Sequence, residues 1–253
     1  MASENIGWDP LRVELLWDLR ERPRRGPRPT LTVEQIARTG MAIADQEGMR
    51  GLSMQRVAEQ LGVGTMTLYT YFPDKASLLE VMLDLVVKDL TPRESRGGWR
   101  SYLEDTARAL MRAYEQHPWA LQIFVGGPPL GPGQSRFLET ALQSLADTNL
   151  DDEERLDAVM AVSSFVRGVA HISVGVTASE KVSGMTDEQI QGAYTEAYRR
   201  VLDPERFPMI NKMLAAAPEG SESTGPYDFG FTFGLNRLLD GIEHFIATRS
   251  GTA

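Results

Sequence analysis

Apolar residues recur every three or four positions through most of the chain, which is the spacing of one face of an α-helix. The clearest example lies in the first third of the sequence. There Ser53 can cap a first helix, whose apolar face is Met54, Val57, Ala58 and Leu61. Gly62 ends this helix, because glycine readily adopts the left-handed conformation that follows one. The pattern predicts a second helix over 65–72 and a third that begins at Lys75, with Asp74 as its cap.

Two short helices joined by a three-residue turn that contains glycine form a helix-turn-helix, whose second helix fits the major groove of DNA. This segment also resembles the DNA-binding module of the tetracycline-repressor (TetR) family, over roughly residues 31–80. The resemblance rests on Ser53, Val57-Ala58, Leu61-Gly62-Val63, Thr67-Leu68-Tyr69, Tyr71-Phe72, Lys75 and Leu78-Leu79. A helical hairpin without a DNA role is the alternative, but it would need only the apolar positions and the glycine.

The resemblance implies which side chains contact DNA. They are Ser53, Gln55, Arg56, Thr65, Met66, Thr67, Tyr69, Thr70, Tyr71 and Lys75. The threonine methyls and Met66 suit the methyl group of thymine, and Gln55 can pair with adenine. Because the second helix contains no Arg, Lys, Asn or Gln, we expect weak readout of guanine from it. Gln55, Arg56 and the arginine-rich arm that precedes the module are then expected to carry more of the specificity.

The balance of charge supports DNA binding only locally. The net charge of the 253 residues is −9, of which residues 1–75 contribute zero. Within the arm Arg20–Thr30, however, five arginines accompany one glutamate. Local charge governs the attraction to phosphate, and three prolines and a glycine make the arm extended, so it can enter a minor groove. The arginines expected to contact DNA are Arg24, Arg25 and Arg28. A solvated linker is the alternative.

The whole pattern predicts an all-α protein, with an N-terminal helix-turn-helix DNA-binding domain followed by a larger helical domain for ligand binding and dimerisation. Residues 1–30 form an extension whose short helix either packs on the DNA-binding domain or positions the arm. Residues 31–90 hold the DNA-binding domain, including a connector helix over 78–90. A polar stretch that ends in two glycines then marks the start of the second domain, 91–253.

Thr32 with Gln35 and Thr186 with Gln189 form capping boxes that open two helices, and Gly48 ends the first of these. A long helix is predicted from Asp151 to about Thr177.

Two helices of the second domain carry glycines where glycine lowers stability, by about 1 kcal/mol relative to alanine. Such repeated glycines indicate close backbone approach. TetR-like chains pair these two helices with their copies in a four-helix interface, and by this resemblance we expect a homodimer; purely intramolecular packing is the alternative. The predicted interface is Val162, Val166, Gly168, Val169, Gly175, Gly230, Gly234, Leu235, Leu238, Gly241, Ile242 and Phe245. Such a dimer would present two reading helices about 34–36 Å apart to a near-palindromic operator.

Several large side chains of the second domain could line a pocket between helices, although each taken alone is more typical of a helical core. The candidates for effector binding are Arg100, Met111, His117, Trp119, Gln122, Phe124, Phe137, Met160, Phe165 and His171. The stretch YDFGFTFGLNRLLDGI resembles the C-terminal part of the tetracycline-repressor branch. By this resemblance a bulky, drug-like small-molecule effector releases the protein from its double-stranded DNA operator.

Other classes of function find no support in the sequence. The three histidines are far apart, cysteine is absent, and neither HExxH nor G-x-S-x-G occurs, so we expect no enzyme, no cofactor and no metal. No apolar run approaches the about 20 residues that span a bilayer, and no signal peptide is visible, so we expect a cytoplasmic protein without a membrane partner. A DNA-binding regulator without an effector, or a helical enzyme with only carboxylates in its active site, remains the alternative.

Overall fold

The chain begins with a short strand and a short helix that precede the helix-turn-helix. The computed structural model describes residues 4–6, 10–17, 19, 31–90, 97–125, 131–216 and 230–249. Strand β1 (Glu4–Ile6) pairs in parallel with strand β2 (Ile123–Val125), with Asn5 opposite Phe124. Helix α1 (Pro10–Leu16) follows β1. The N-terminal extension therefore contacts a distant segment of the chain through its backbone.

Residues 31–90, the predicted DNA-binding domain, are called the reading head below. This region contains the three helices of the predicted module and a longer helix after them. They are α2 (Val33–Gly51), α3 (Met54–Leu61), α4 (Thr65–Tyr69) and α5 (Lys75–Leu90). The capping box predicted for α2 is confirmed, because the Thr32 hydroxyl accepts from the Gln35 amide and the Gln35 side chain accepts from the Thr32 amide. α1 packs on α5, so the extension lies against the head.

Two of the predicted helix ends in the head differ from the structure. Gly48 was expected to end α2, but its φ of 70° produces a kink, and helical backbone resumes as far as Gly51. The helix predicted over 65–72 ends at Tyr69, and a hydrogen-bonded turn leads from there to Phe72. The shorter helix follows from Pro73, since the residue before a proline is disfavoured in helical backbone.

The C-terminal region consists of one 3-10 helix and six α-helices in its described part. They are α6 (Gly98–Gln116), the 3-10 helix (Pro118–Gln122), α7 (Pro132–Ser144), α8 (Asp152–Ser183), α9 (Asp187–Val201), α10 (Pro208–Ala216) and α11 (Phe231–Arg249). The capping box predicted at Thr186 and Gln189 is confirmed. α8 continues to Ser183, beyond its predicted end near Thr177.

The prediction of an all-α fold is confirmed. In the described part of the chain the only strands are β1 and β2, and three residues each are too few to show an alternating pattern in the sequence. One core runs through the molecule, because α5 packs on α2 and also on α7, while α6 packs on α8. Its largest fully buried side chains are Trp119, Phe72, Ile36, Leu52, Leu68, Leu78, Leu79, Met82, Leu103, Ile123, Leu145 and Leu235.

Helix α8 contains a longer apolar stretch than the Sequence analysis predicts for any part of the chain. Its stretch Asp152–Gly175 is long and apolar enough to cross a membrane by length and composition alone, with a mean hydropathy of 1.4. Core helices share these properties, and α8 packs against α6, α7 and α11 through one face. The buried residues of that face include Val159, Val162, Val166 and Ala170. The opposite face is also apolar but lies exposed in the single chain.

Candidate nucleic-acid interface

The turn between α3 and α4 is fixed by a cap, a glycine and one apolar side chain. The Ser53 hydroxyl caps α3 by accepting from the Arg56 amide at 3.1 Å. Gly62 adopts a φ of 69°, and its amide donates to two carbonyls in the last turn of α3. Val63 packs against the core at the angle between the helices. The sequence therefore fixes the direction in which α4 leaves α3.

Helix α4 has one buried face and one exposed face. Leu68 and Phe72 are completely buried beneath it. On the other face Met66 is 77% exposed and Tyr69 is 44% exposed. Within the described reading head these are the only two large apolar side chains with such exposure. Large apolar side chains that stay exposed, on a domain that covers its other large apolar side chains, indicate a contact surface, because their exposure to water does not stabilise the folded chain.

Hydroxyl groups complete the exposed face of α4. Thr67 and Thr70 are exposed, and the Thr70 hydroxyl donates to the Thr67 carbonyl at 2.7 Å, which leaves its oxygen able to accept. Thr65 at the start of the helix is half-buried. Tyr71 packs partly against the core, so it lies further from the exposed face than the sequence alone indicates. Lys75 is half-buried at the start of α5.

The polar residues at the start of α3 are held by acidic neighbours. The Gln55 amide donates to Glu59 at 2.9 Å. Arg56 forms an ion pair with Glu47 at 2.7 Å, and this hydrogen-bonded partner raises the pKa of Arg56. Both side chains must leave or share these carboxylates before they can contact DNA. Their readiness for contact is thus lower than that of Met66 and Tyr69.

The extension is anchored to the head by a largely buried arginine. Arg12, on α1, forms ion pairs with Glu80 at 3.3 Å and with Asp74 at 3.6 Å, and its side chain is 11% exposed. Asp74 caps α5 as predicted, by accepting from the amide and the hydroxyl of Ser77, both at 2.7 Å. Of the two readings of the short N-terminal helix, packing on the DNA-binding domain is therefore confirmed. The arm arginines Arg24, Arg25 and Arg28 lie outside the described residues.

The comparisons with known proteins agree with this geometry. Residues 36–82 match the family model of bacterial regulatory proteins of the tetR family, and residues 91–246 match the tetracyclin repressor-like C-terminal domain. The chain belongs to the TetR family. The HTH-type transcriptional repressor DrrR1 of Streptomyces coeruleorubidus is 40% identical over 94% of this chain and 87% of that protein. The class C tetracycline repressor of Escherichia coli is 33% identical over 83% of this chain and 90% of that protein.

Solved structures share the fold. The crystal structure of the Streptomyces coelicolor TetR family protein ActR in complex with actinorhodin superimposes with a TM-score of 0.69, at 24% identity, and covers 86% of this chain and 99% of that one. The two family matches and the named repressors among the relatives confirm the prediction of a DNA-binding transcriptional regulator of the TetR family. The two family matches also place the helix-turn-helix and the C-terminal helices in separate parts of the chain.

In this TetR-family chain, two predicted effector residues instead tie the C-terminal region to the head. The Trp119 indole donates to the Asp45 carboxylate at 2.6 Å, and His117 lies 2.8 Å from the same oxygen. Asp45 belongs to α2, whereas the other two flank the start of the 3-10 helix. Trp119 is almost completely buried. Asp45 of the head thus contacts the indole N–H of Trp119 and one ring nitrogen of His117, and the contact of these two side chains with an effector stays a prediction.

The other predicted effector residues do not form one cluster. Arg100 pairs with Asp240 and Glu243 of α11, so it joins two helices at the surface. Met111 is a core residue, while Met160 and His171 are exposed on α8. These four therefore have different surroundings, and their contact with an effector stays a prediction. Gln122, Phe137 and Phe165 are half-buried, and the side chain of Phe124 lies outside the description. Phe165 stacks on Phe231, with the ring centroids 6.1 Å apart.

The structure also corrects four positions of the predicted dimer interface. Val162, Val166, Leu235 and Ile242 are buried within the single chain, because α8 and α11 pack on each other and on α6. Gly234 has the same role, since a Cβ there would lie 2.6 Å from the Phe165 ring. The predicted positions that stay exposed are Gly168, Gly175, Gly230, Gly241 and Phe245, and those half-buried are Val169 and Leu238.

Two acidic side chains that the sequence reasoning missed join the head to the C-terminal region. The first is Asp45 of α2, which accepts from the Trp119 indole. Asp84 of α5 accepts from the amides of Gly133 and Gln134, at 3.0 and 2.9 Å, at the first turn of α7. Burial raises the pKa of Asp84, although these hydrogen bonds oppose the rise. The only signal in the sequence is a carboxylate at a position of α5 where the helical spacing calls for an apolar residue.

Proposed function

We propose that the chain is a ligand-responsive repressor that binds a near-palindromic operator as a homodimer and leaves it when a small-molecule effector binds. The observation that carries the DNA-binding part is the exposed face of α4, where Met66 and Tyr69 project from a head whose other large apolar side chains are covered. A surface of this type fits the floor of a major groove, with its apolar groups against thymine methyls.

The chemistry of the face favours A·T-rich half-sites. Met66 and the methyl groups of Thr67 and Thr70 can pack on thymine methyls, whereas bidentate contacts to guanine need an arginine or lysine that α4 does not have. Hydroxyl groups and Lys75 can bind phosphate oxygens and so fix the register. Arg56 becomes available for a base or a phosphate once the Glu47 carboxylate is displaced.

The homodimer is supported by the second, exposed face of α8. Leu156, Met160 and Ile172 lie on it at helical spacing, together with Gly168 and Gly175. On α11 the exposed residues include Phe233, Gly241 and Phe245. A helix that is apolar on both faces is expected to be covered on both faces. Pairing α8 and α11 with their copies covers these residues, and the glycines allow the backbones to approach.

The α9–α10 hairpin gives independent support. It packs only lightly on the rest of its own chain, through α8. Its exposed large apolar side chains are Tyr194, Tyr198, Val201, Phe207, Met209, Ile210 and Met213. So much exposed apolar surface on a pair of helices that projects from the core is typical of a segment that lies against a partner subunit.

Effector control is supported by the relatives and by the way the two regions are joined. DrrR1 is named a transcriptional repressor and the class C protein a tetracycline repressor, and ActR has been crystallised with actinorhodin. We therefore propose a bulky, drug-like effector for this chain as well. Asp45 and Asp84 hold the C-terminal region to α2 and α5, so a shift of α7 or of the 3-10 helix on ligand binding would move the head. Release requires the effector to favour the displaced state over the DNA-bound one.

Operator selection with the purified protein tests the DNA-binding part. Double-stranded DNA is selected from a random pool, and the affinity of the selected site is measured by fluorescence anisotropy at several salt concentrations. We expect a near-palindromic site with A·T-rich half-sites. Met66→Ala should weaken operator binding by the dimer about 30-fold, because methyl contacts of about 1 kcal/mol are lost in each of the two half-sites.

A matched control and an effector panel complete this test. Arg112→Ala shortens an exposed side chain of α6, outside the head and outside the proposed dimer interface, and should leave the affinity for the isolated operator within about twofold at moderate salt. An equal loss in both variants, or no sequence preference in the selection, contradicts the proposed reading face. Candidate drug-like molecules are then added to the complex at saturation. If none lowers operator affinity, the regulator without an effector replaces the ligand-responsive repressor.

A further inference from the structure

A groove with a volume of about 850 Å³ lies between the N-terminal helix, the head and the C-terminal region. The lining residues that the structure describes lie on four helices or directly beside their ends, and none of these belongs to the set predicted to bind the effector. They are Leu15, Leu16, Trp17, Thr32, Val33, Glu34, Val81, Asp84, Leu85, Lys88, Pro132, Gly133, Ser135, Arg136 and Glu139. The volume is within the range of about 300–1,000 Å³ that is typical of sites for drug-sized molecules.

The groove has an apolar floor and a basic end. The floor is formed by Leu15 of α1 and by Val81 and Leu85 of α5. At the basic end a Cβ on Gly133 would lie 2.8 Å from the Cβ of Lys88, so this part of α7 touches Lys88 directly. Arg136 follows Gly133 by three residues and so lies on the same face of α7, one turn further on. Lys88 and Arg136 therefore flank one end of the groove.

Three carboxylates also line the groove, and each has a partner among the described residues. Glu34 pairs with Arg38 at 2.8 Å and with Lys88 at 3.5 Å. Asp84 is buried and accepts from two amides of α7. Glu139 accepts from the Gln143 amide at 2.6 Å. Arg136, by contrast, is exposed and forms no ion pair with any residue that the structure describes. Its guanidinium is thus available to a carboxylate, which it can bind through two parallel hydrogen bonds.

We propose that this groove is a ligand site, separate from the residues predicted to bind the effector, and that it takes an amphipathic carboxylate. The carboxylate head lies between Arg136 and Lys88, and the hydrocarbon or aromatic body lies on Leu15, Val81 and Leu85. The ligand touches α1, α5 and α7 together, next to the Asp84 junction. The site itself does not depend on the proposed function, since it is defined by binding to the protein without DNA.

The proposal is tested with 11-(dansylamino)undecanoic acid, a fluorescent carboxylate with a long apolar chain. Its titration into the full-length protein, without DNA, should show saturable binding with increased fluorescence. Arg136→Gln should weaken this binding about tenfold or more, since a charge-assisted hydrogen-bonded pair is lost. Ser135→Phe places a ring in the groove and should abolish it. The methyl ester of the probe should bind about tenfold more weakly than the acid.

Matched variants separate this site from other apolar surfaces. Arg112→Gln removes an exposed arginine of α6 that does not line the groove, and should leave the affinity for the probe within twofold. Circular dichroism of each variant shows whether it is folded, and Arg136→Gln changes only an exposed side chain. The proposal is overturned if the probe does not bind, if the ester binds as well as the acid, or if Arg136→Gln and Ser135→Phe both bind like the wild type.

Discussion

The reading head and the helices after residue 151 differ in how completely they cover their apolar side chains. Of the described residues in 31–90, two large apolar side chains are exposed, and both lie on the reading face of α4. Of the described residues in 152–249, thirteen are exposed, and they are spread over α8, α9, α10, α11 and their connections. The head covers its large apolar side chains except on one surface. The later helices leave many of theirs exposed, and the proposed second chain would cover them.

The difference in exposed apolar surface indicates different functions for the two regions. In the head, Leu68 and Phe72 hold α4 against the core. In the proposed dimer the later helices would gain further burial by pairing, and their arrangement would set the distance between the two heads. The α5 helix belongs to both regions, since it packs on α2 and on α7. It is therefore the element through which a change in the pairing helices reaches the head.

We expect the largest effect from a substitution that makes the exposed face of α8 incompatible with a second copy of the chain. Ile172 is 71% exposed on that face, so Ile172→Glu should leave the single chain folded but should oppose burial against a second copy. We expect a monomer by analytical ultracentrifugation. Operator affinity should fall by roughly 10²–10⁴-fold, because two linked heads become one.

The control for this variant changes the charge by more and spares the face. Arg112→Glu lies on α6 at an exposed position and should remain a dimer with operator affinity within about twofold at moderate salt. A dimeric Ile172→Glu protein with unchanged operator affinity would show that the exposed faces of α8 and α11 are not the dimer interface, and that these helices are complete as they stand.

The same difference explains how far the sequence could predict the structure. In the head, the cap at Ser53, the left-handed Gly62 and the apolar stripe ending at Phe72 are local signals, and each of them appears in the structure as predicted. Local patterns suffice there because short-range contacts decide the helices and a single core covers them. The errors were confined to helix ends, where Gly48 and Pro73 act over one or two residues.

In the C-terminal region the helices were again predicted well, but the partners of their side chains were not. Trp119 and Arg100 have the size and polarity of pocket residues, yet they bind Asp45 of α2 and the acidic residues of α11. Such contacts join residues far apart in the chain, and helical spacing carries no information about them. The same holds for Val166 and Leu235, whose glycine-rich helices indicated an interface without showing which of their two faces forms it.

A smaller effect is expected from substitutions on the buried and the exposed side of the helix-turn-helix. Phe72 is fully buried at the end of the helix-turn-helix, so Phe72→Ala should lower the free energy of unfolding by about 3–5 kcal/mol. The measurement is denaturation by urea of the full-length protein, followed by circular dichroism. Met66→Ala, on the exposed face of the same segment, should change it by no more than about 0.5 kcal/mol while it weakens operator binding. Equal losses of stability in the two variants would contradict a head with one covered and one free face.

The smallest effect concerns the junction between the N-terminal helix and the head. Burial by itself would raise the pKa of Asp74, but the hydrogen bonds from Ser77 and the nearby Arg12 outweigh it and hold this pKa below the usual value of 3.8. The stabilisation by the ionised carboxylate is therefore present above that value and is lost as the pH falls through the lower pKa of the folded state.

Asp74→Asn keeps a good helix cap and removes only this charge. Between pH 6 and pH 3 its stability should decrease less than that of the wild type, by less than about 1 kcal/mol because the Asp74 side chain is half exposed. Asp105→Asn, at an exposed position of α6 without an ion pair to a described residue, should follow the wild type. If both variants lose stability with acid as the wild type does, the contacts of Arg12 and Ser77 do not stabilise the charged form of Asp74. The N-terminal helix would then be held on the head by packing alone, through Leu15 and the surface of α5.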